Sequence, residues 1–211
     1  RDGLTIWVEA VVPSPEGIPS DWLEAPVAGQ VKAVNKPHRE MLLRCTSAIA
    51  DKQKKFSNYK AKGIVGQTDA AVIAVNICRL SYWDIEGTGV SQLPLMMEAV
   101  FPIGALAVPI SRDGKIDGPA QRLPRFSVDK AEGRTIPTGY FFDPEFANVS
   151  AVLQAHQKDV FQKKLVLAAA HNPLASNRLP TGLFDVHQEF VAEPIGDDEF
   201  QIRQVSALAK S

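Results

Sequence analysis

Two side chains in the first quarter of the chain, Glu9 and Lys52, have types and positions that favour chemistry. Glu9 stands within the β-rich run 4–12, and alternation along a strand places it on one face with Trp7 and Val11. A carboxylate on an otherwise apolar face needs a charged partner or a metal ion. The plainer alternative is a solvent-facing glutamate on an edge strand, and the sequence leaves both interpretations open.

Lys52 belongs to the most basic stretch of the chain, in a helix predicted over 37–62. At about 100° per residue, the apolar stripe of this helix comprises His38, Leu42, Cys45, Ile49 and Phe56. Lys52 lies on the flank of that stripe with Tyr59, so its stem runs beside the edge of the core. Arg44 and Lys55 fall in the next row outward. This basic edge is either a solvated surface or one that contacts phosphate groups.

A third feature is His171, which precedes Asn172 and Pro173 at the end of a predicted strand. The plainer interpretation is a turn whose histidine bonds to the backbone. An enzyme that acts on a small molecule through His171 is the functional alternative, and little else in the sequence favours it. The chain contains no nucleophile elbow, no phosphate-binding glycine loop and no helical zinc motif.

The elements that must position these side chains begin with a β-α-β unit. Strand 4–12, helix 37–62 and strand 69–78 predict a parallel pair with a right-handed crossover. The run 69–78 is almost continuously apolar, as expected for a strand covered on both faces. The other elements predicted in this half are short helices at 20–23 and 91–100 and a strand at 104–110.

Beyond residue 110 the pattern changes, because glycine-containing turn signals alternate with short β-rich runs. We expect mainly antiparallel strands there, with at most one substantial helix. The predicted division is an α/β core over 1–110 and a β-rich extension over 111–211 that packs on it as one unit. The expected strands lie near 125–129, 149–154, 164–170, 185–191 and 199–204.

The amino-acid composition excludes several classes of protein. The 211 residues are 45% hydrophobic and 22% charged, with a net charge of −1, which excludes collagen-like, coiled-coil and wholly disordered chains. No apolar run approaches the roughly 18 residues of a membrane-spanning helix, so we expect no membrane partner. The two cysteines, Cys45 and Cys78, lie in apolar stretches and favour free thiols in the reducing cytoplasm over a disulfide.

Several stretches together resemble a group of uncharacterised bacterial proteins with a restriction-endonuclease-like core of the PD-(D/E)XK type. In the first half they are Trp7-Val8-Glu9-Ala10, then Arg44 to Lys52 followed by Tyr59, and Val72-Ile73-Ala74-Val75-Asn76. In the second half Val149-Ser150-Ala151-Val152-Leu153 and His171-Asn172-Pro173 are similar to the same group. The resemblance covers much of the chain through short motifs.

The resemblance implies both a fold and an activity. The fold would be α/β or α+β, with a mixed sheet, flanking helices and a β-rich C-terminal extension. The activity would be hydrolysis of phosphodiester bonds in DNA or RNA with Mg²⁺ or Mn²⁺. Glu9 would be a catalytic metal ligand and Lys52 the catalytic lysine, while Arg44, Lys55 and Tyr59 would bind the substrate.

Two departures from the family pattern supply an alternative. Val11 stands where the family lysine is usual, so Lys52 on the following helix would replace it. The aspartate of the preceding strand is absent as well, and Asp2, a turn residue, is a poor substitute. Either the missing strand precedes Arg1 in a longer protein, or this is a non-catalytic interaction protein that kept the fold and lost the metal site. Self-association stays open in both cases.

Overall fold

The computed structural model describes residues 3–25, 27–81, 88–130, 133–156, 166–196 and 199–205. Asp2, which the sequence places in a turn, lies outside the described residues. The helices are α1 (Ser20–Leu23), α2 (His38–Ala61) and α3 (Met97–Val100). The strands are β1 (Ile6–Val11), β2 (Ala70–Asn76), β3 (Ile103–Ala107), β4 (Gln121–Pro124), β5 (Ser127–Asp129), β6 (Thr135–Pro137), β7 (Ala151–His156), β8 (Val166–His171), β9 (Gln188–Pro194) and β10 (Phe200–Val205).

A six-stranded mixed sheet organises the molecule, with the strand order β1-β2-β7-β8-β9-β10. The pairs β1–β2, β2–β7 and β8–β9 are parallel, whereas β7–β8 and β9–β10 are antiparallel. Two small sheets, β3–β4 and β5–β6, stand apart from it. The mixed α/β character expected from the sequence is therefore confirmed.

The predicted β-α-β unit is also confirmed. β1 and β2 are parallel neighbours whose register runs from Ile6 opposite Ala70 to Val11 opposite Val75, and α2 connects and covers them. The apolar stripe of α2 explains why it packs there, since Leu42, Cys45, Ile49 and Phe56 are all fully buried. This arrangement fixes which side chains of β1 face the helix.

The two faces of the sheet have separate apolar clusters. On the α2 face, Ile73 and Val75 join the main core. On the opposite face, Val72 packs with Ala151 and Leu179 in a second cluster beneath the chain that links β8 to β9. β2 is thus buried on both sides, as its continuous apolar run predicts.

The C-terminal half contains hairpins, as expected, but four of its strands, β7 to β10, join the large sheet rather than form a sheet of their own. β7 returns from beyond residue 110 to pair with β2 in the large sheet, where its residues Ala151 and Val152 are fully buried. In the described part of the chain after residue 110, the helical turns are short 3₁₀ segments at Tyr140–Phe142 and Pro144–Phe146. The domain division at residue 110 stays a prediction.

The helix expected over 91–100 is shorter than predicted. It begins only at Met97, because Gln92 adopts a left-handed conformation with φ of 60° and Pro94 follows it closely,. In the described ranges of the chain, we find no helix of the length and hydrophobicity that crossing a membrane requires.

Candidate functional site

The candidate site forms where the edge strand β1 meets the helix α2. Glu9 lies in the middle of β1 and its side chain points toward the helix, as the alternation with Trp7 and Val11 predicts. Lys52 and Lys55 are three residues apart on α2, so they project from the same side of it. The crossover of the β-α-β unit brings these three charges together.

Both oxygens of Glu9 accept hydrogen bonds from lysine. The Lys52 ammonium lies 3.0 Å from Oε2, and the Lys55 ammonium lies 2.9 Å from Oε1 and 3.0 Å from Oε2. The side chains of Glu9 and Lys52 are 17% and 20% exposed, whereas that of Lys55 is 42% exposed. The cluster therefore carries one excess positive charge that solvent can reach through Lys55.

The electrostatics of Glu9 follow from these contacts. Partial burial raises the pKa of its carboxyl group, but the hydrogen bonds and charges of Lys55 and Lys52 outweigh burial and lower the pKa below its ordinary value,. The carboxylate in turn raises the pKa of Lys55, with a smaller contribution from Tyr59. At neutral pH the cluster consists of one anion held between two cations.

The other predicted substrate-binding residues fall in two places. The Lys55 ammonium stands 5.4 Å from the centre of the Tyr59 ring, which adds a cation–π contact to the cluster. Arg44 instead pairs loosely with Glu16 in the loop after β1, at 3.4 Å. The structure thus brings Glu9, Lys52, Lys55 and Tyr59 together, and Arg44 is engaged elsewhere. The catalytic and binding roles of all five stay predictions.

A divalent ion finds a limited donor set here. In the described part of the chain, no three His, Cys, Asp or Glu side chains converge as metal ligands, and Glu9 already contacts two ammonium groups. Mg²⁺ commonly uses one or two carboxylates together with substrate phosphates and waters. Among the described residues, Glu9 therefore offers a metal ion one carboxylate whose two oxygens already contact lysine, a donor set too small for a tightly held resident ion.

Sequence patterns miss a second charged cluster, centred on Glu98. This carboxylate is fully buried and contacts Nε2 of His38 at 2.6 Å and the Arg125 guanidinium at 2.7 Å. It also accepts the backbone N–H of Ser91 at 2.7 Å. Burial alone would raise the pKa of Glu98, but its hydrogen bonds with His38 and Ser91 and the charge of His38 lower it to about 2. One glutamate within the apolar stretch 95–101 is the sequence signal that could have indicated it.

A third cluster corrects the expectation for His171. Its Nε2 lies 2.7 Å from Oε1 of Glu189, and both side chains are more than nine-tenths buried. Glu189 also accepts the backbone N–H of Gly182. The partner of His171 is therefore a carboxylate and not the backbone. The pairing escaped sequence analysis because the two residues lie on β8 and β9, whose parallel register no local pattern reveals.

Comparisons with family models, curated proteins and solved structures found no match for this chain. The resemblance to the nuclease group therefore stands on its short motifs alone.

Proposed function

We propose that this protein hydrolyses phosphodiester bonds in nucleic acid with Mg²⁺ or Mn²⁺, through the cluster of Glu9, Lys52 and Lys55. One observation carries the proposal: the Lys52 ammonium lies 3.0 Å from Glu9 Oε2. A carboxylate that could hold a metal ion and a lysine that could offset negative charge are types of side chain that can assist metal-dependent phosphodiester cleavage, and here they meet between a strand and its crossover helix.

The two lysines would act on the phosphate in different ways. Lys55 is the more exposed, and its flexible side chain can turn from Glu9 to a phosphate oxygen as the substrate enters. Lys52 is held beside the core, so it stays close to Glu9 and would orient the attacking water and balance developing negative charge. Tyr59 offers a ring on which a base or sugar could rest.

The metal ion would enter with the substrate. Glu9 would then hold it as the only protein carboxylate of the cluster, and the ion would supply charge stabilisation and an acidified water. Release of Lys55 from Glu9 would free the carboxylate oxygen Oε1 for this purpose. The proposal includes a cytoplasmic location, which the two free cysteines support,.

Plasmid nicking tests the proposal directly. Wild-type protein should convert supercoiled DNA to the open circle with Mg²⁺ or Mn²⁺ but not with EDTA, and a labelled single-stranded RNA run in parallel separates the two substrates. Glu9→Gln should abolish cleavage, whereas Glu16→Gln, at an exposed carboxylate in the nearby loop, should not. Cleavage of neither substrate by the wild type, or equal cleavage by Glu9→Gln, would contradict it.

A specific observation supports a second candidate, a non-catalytic interaction protein. Each oxygen of Glu9 already has a lysine partner, so the carboxylate is satisfied without any metal. On this alternative the cluster is a salt bridge that fastens β1 to α2. Isothermal titration with Mn²⁺ in the presence of a non-hydrolysable phosphorothioate oligonucleotide distinguishes the two, since only the nuclease should bind the ion in a way that requires Glu9.

A further inference from the structure

A large open groove lies far from the Glu9 cluster, between β4 and the opposite edge strand of the sheet, β10. Its volume is about 720 Å³, within the range typical of small-molecule sites. β1 and β10 are the two edges of the six-stranded sheet. The groove is therefore a separate feature, and its role does not depend on the proposed nuclease activity.

Three phenylalanine rings dominate its walls. Phe142 and Phe200 contact each other with ring centres 4.6 Å apart and planes tilted by 53°. Phe126 lines the same groove with 70% of its surface exposed, and it stacks on no other ring in the described part of the chain. Aromatic side chains gathered in one groove, with one of them this exposed, are typical of a surface that a ligand covers.

Two side chains of opposite charge, Arg122 and Asp143, also line the groove. The Nε of Arg122 donates to the Ser91 carbonyl at 2.9 Å, which fixes the plane of the guanidinium. One oxygen of Asp143 accepts the Glu145 backbone N–H at 2.9 Å. The groove therefore presents hydrogen-bond donors and acceptors beside its aromatic walls.

This combination discriminates between ligands. An acyl chain would satisfy the rings but would leave the Asp143 carboxylate against hydrocarbon, which is costly. A flat heteroaromatic ring can stack on phenylalanine while its edge both donates to Asp143 and accepts from Arg122. We infer that the groove binds a nucleobase, either of a free nucleotide or of an unpaired stretch of nucleic acid.

The test measures binding in EDTA, so that cleavage plays no part. Titrations followed by calorimetry would use AMP and GMP, ribose 5-phosphate as the ligand without a base, and a single-stranded octanucleotide. A nucleotide or the octamer should bind, and ribose 5-phosphate should not. Phe126→Ala should weaken binding at least about fivefold, as expected for the loss of one stacking surface, and Arg122→Ala should weaken it as well.

Leu123→Ala is the matched control. Leu123 is an exposed residue of the same strand, between Arg122 and Pro124, and does not line the groove, so its variant should bind like the wild type. Binding of AMP or GMP identifies free nucleotides as the source, and binding of the octamer alone identifies a nucleic acid. The inference would be overturned if no base-containing ligand binds, or if Phe126→Ala binds nucleotides and the octamer as tightly as the wild type does. It would also be overturned if Phe126→Ala changes the self-association of the protein but not its ligand binding.

Discussion

Glu9 Oε2 and Lys52 Nζ lie 3.0 Å apart although 43 residues separate them in sequence. The contact joins the edge strand β1 to the helix that covers it. Among the described strands, β1 pairs with β2 alone and so forms an edge of the sheet. A charged residue that points inward from an edge strand discourages pairing with another chain. The nuclease proposal rests on the contact between Glu9 and Lys52 and on the second one, between Glu9 and Lys55, so the two lysines must be tested separately.

Lys52→Met and Lys55→Met should affect cleavage differently. Lys52→Met should reduce kcat by at least about a hundredfold, since this lysine would stabilise charge at the reacting phosphate. Lys55→Met should mainly raise KM and reduce the dependence of binding on salt, because the more exposed lysine would contact the phosphate backbone. Steady-state cleavage of a short fluorescent duplex at several salt concentrations measures both effects.

Lys54→Met serves as the control for removing one positive charge, because Lys54 is exposed and belongs to a different side of α2. It should leave kcat unchanged. If all three variants lose the same small amount of activity, then net charge alone is responsible and Lys52 has no special role.

The stability of the protein should depend on pH through Glu98. Its folded-state pKa of about 2 lies below the ordinary value of 4.5, so the ionised carboxylate contributes stability that is complete above pH 4.5. That contribution is lost as the pH falls from 4.5 through about 2, and it amounts to about 3 kcal/mol. Urea unfolding between pH 2 and pH 7 measures it.

Glu98→Gln should remove most of this pH dependence. At pH 7 the variant should also lose about 3–5 kcal/mol, because His38 and Arg125 then face a buried neutral amide. Glu16→Gln, at an exposed position, should leave the profile unchanged. A wild-type profile that stays flat below pH 4.5 would show that Glu98 is not the acid-sensitive group.

Local patterns predicted the β-α-β unit because its signals lie within single elements. The stripe of α2 and the apolar run of β2 each determine a burial pattern without reference to the rest of the chain. The approach of Glu9 to Lys52 could be expected for the same reason, since both side chains lie on faces defined by those patterns. The structure shows a direct contact between the two side chains, while its catalytic meaning stays a prediction.

The Glu98 and His171 clusters could not be predicted, because their partners come from distant elements. Glu98 meets His38 and Arg125 only after α2, α3 and the segment beyond β4 have packed. The insertion of β7 next to β2 is non-local in the same sense, since turn signals indicate hairpins but not where a strand returns to the sheet.

Gly89→Ala should destabilise the fold through the same cluster. A Cβ atom at this position would lie 1.9 Å from Oε1 of Glu98, which would force the buried carboxylate away from the Ser91 N–H. We expect a loss of about 2–4 kcal/mol from the broken buried network. Gly196→Ala is the control, because its nearest atom would be 3.7 Å away. Equal stabilities of the two variants, measured in urea, would contradict the close approach.

The two ring nitrogens of His171 have different surroundings, and this difference leads to a prediction about substitutions at this position. Nε2 contacts Glu189 at 2.7 Å, whereas Nδ1 has no hydrogen-bond partner in the described part of the chain. The amide nitrogen of glutamine reaches about as far as Nε2, so His171→Gln should preserve the contact and cost about 1 kcal/mol. His171→Leu should cost about 3–5 kcal/mol, because Glu189 then stays buried with the Gly182 N–H as its one partner among the described residues,.

The double variant His171→Leu with Glu189→Leu completes the cycle. Because it removes both polar groups together, it should be more stable than His171→Leu alone, with a coupling of about 1–3 kcal/mol between the two positions. Urea denaturation at pH 7 of the wild type, His171→Leu, Glu189→Leu and the double variant measures the four free energies of unfolding. If the loss in free energy of unfolding for the double variant equals the sum of the two single losses, the contact between His171 and Glu189 contributes nothing to stability.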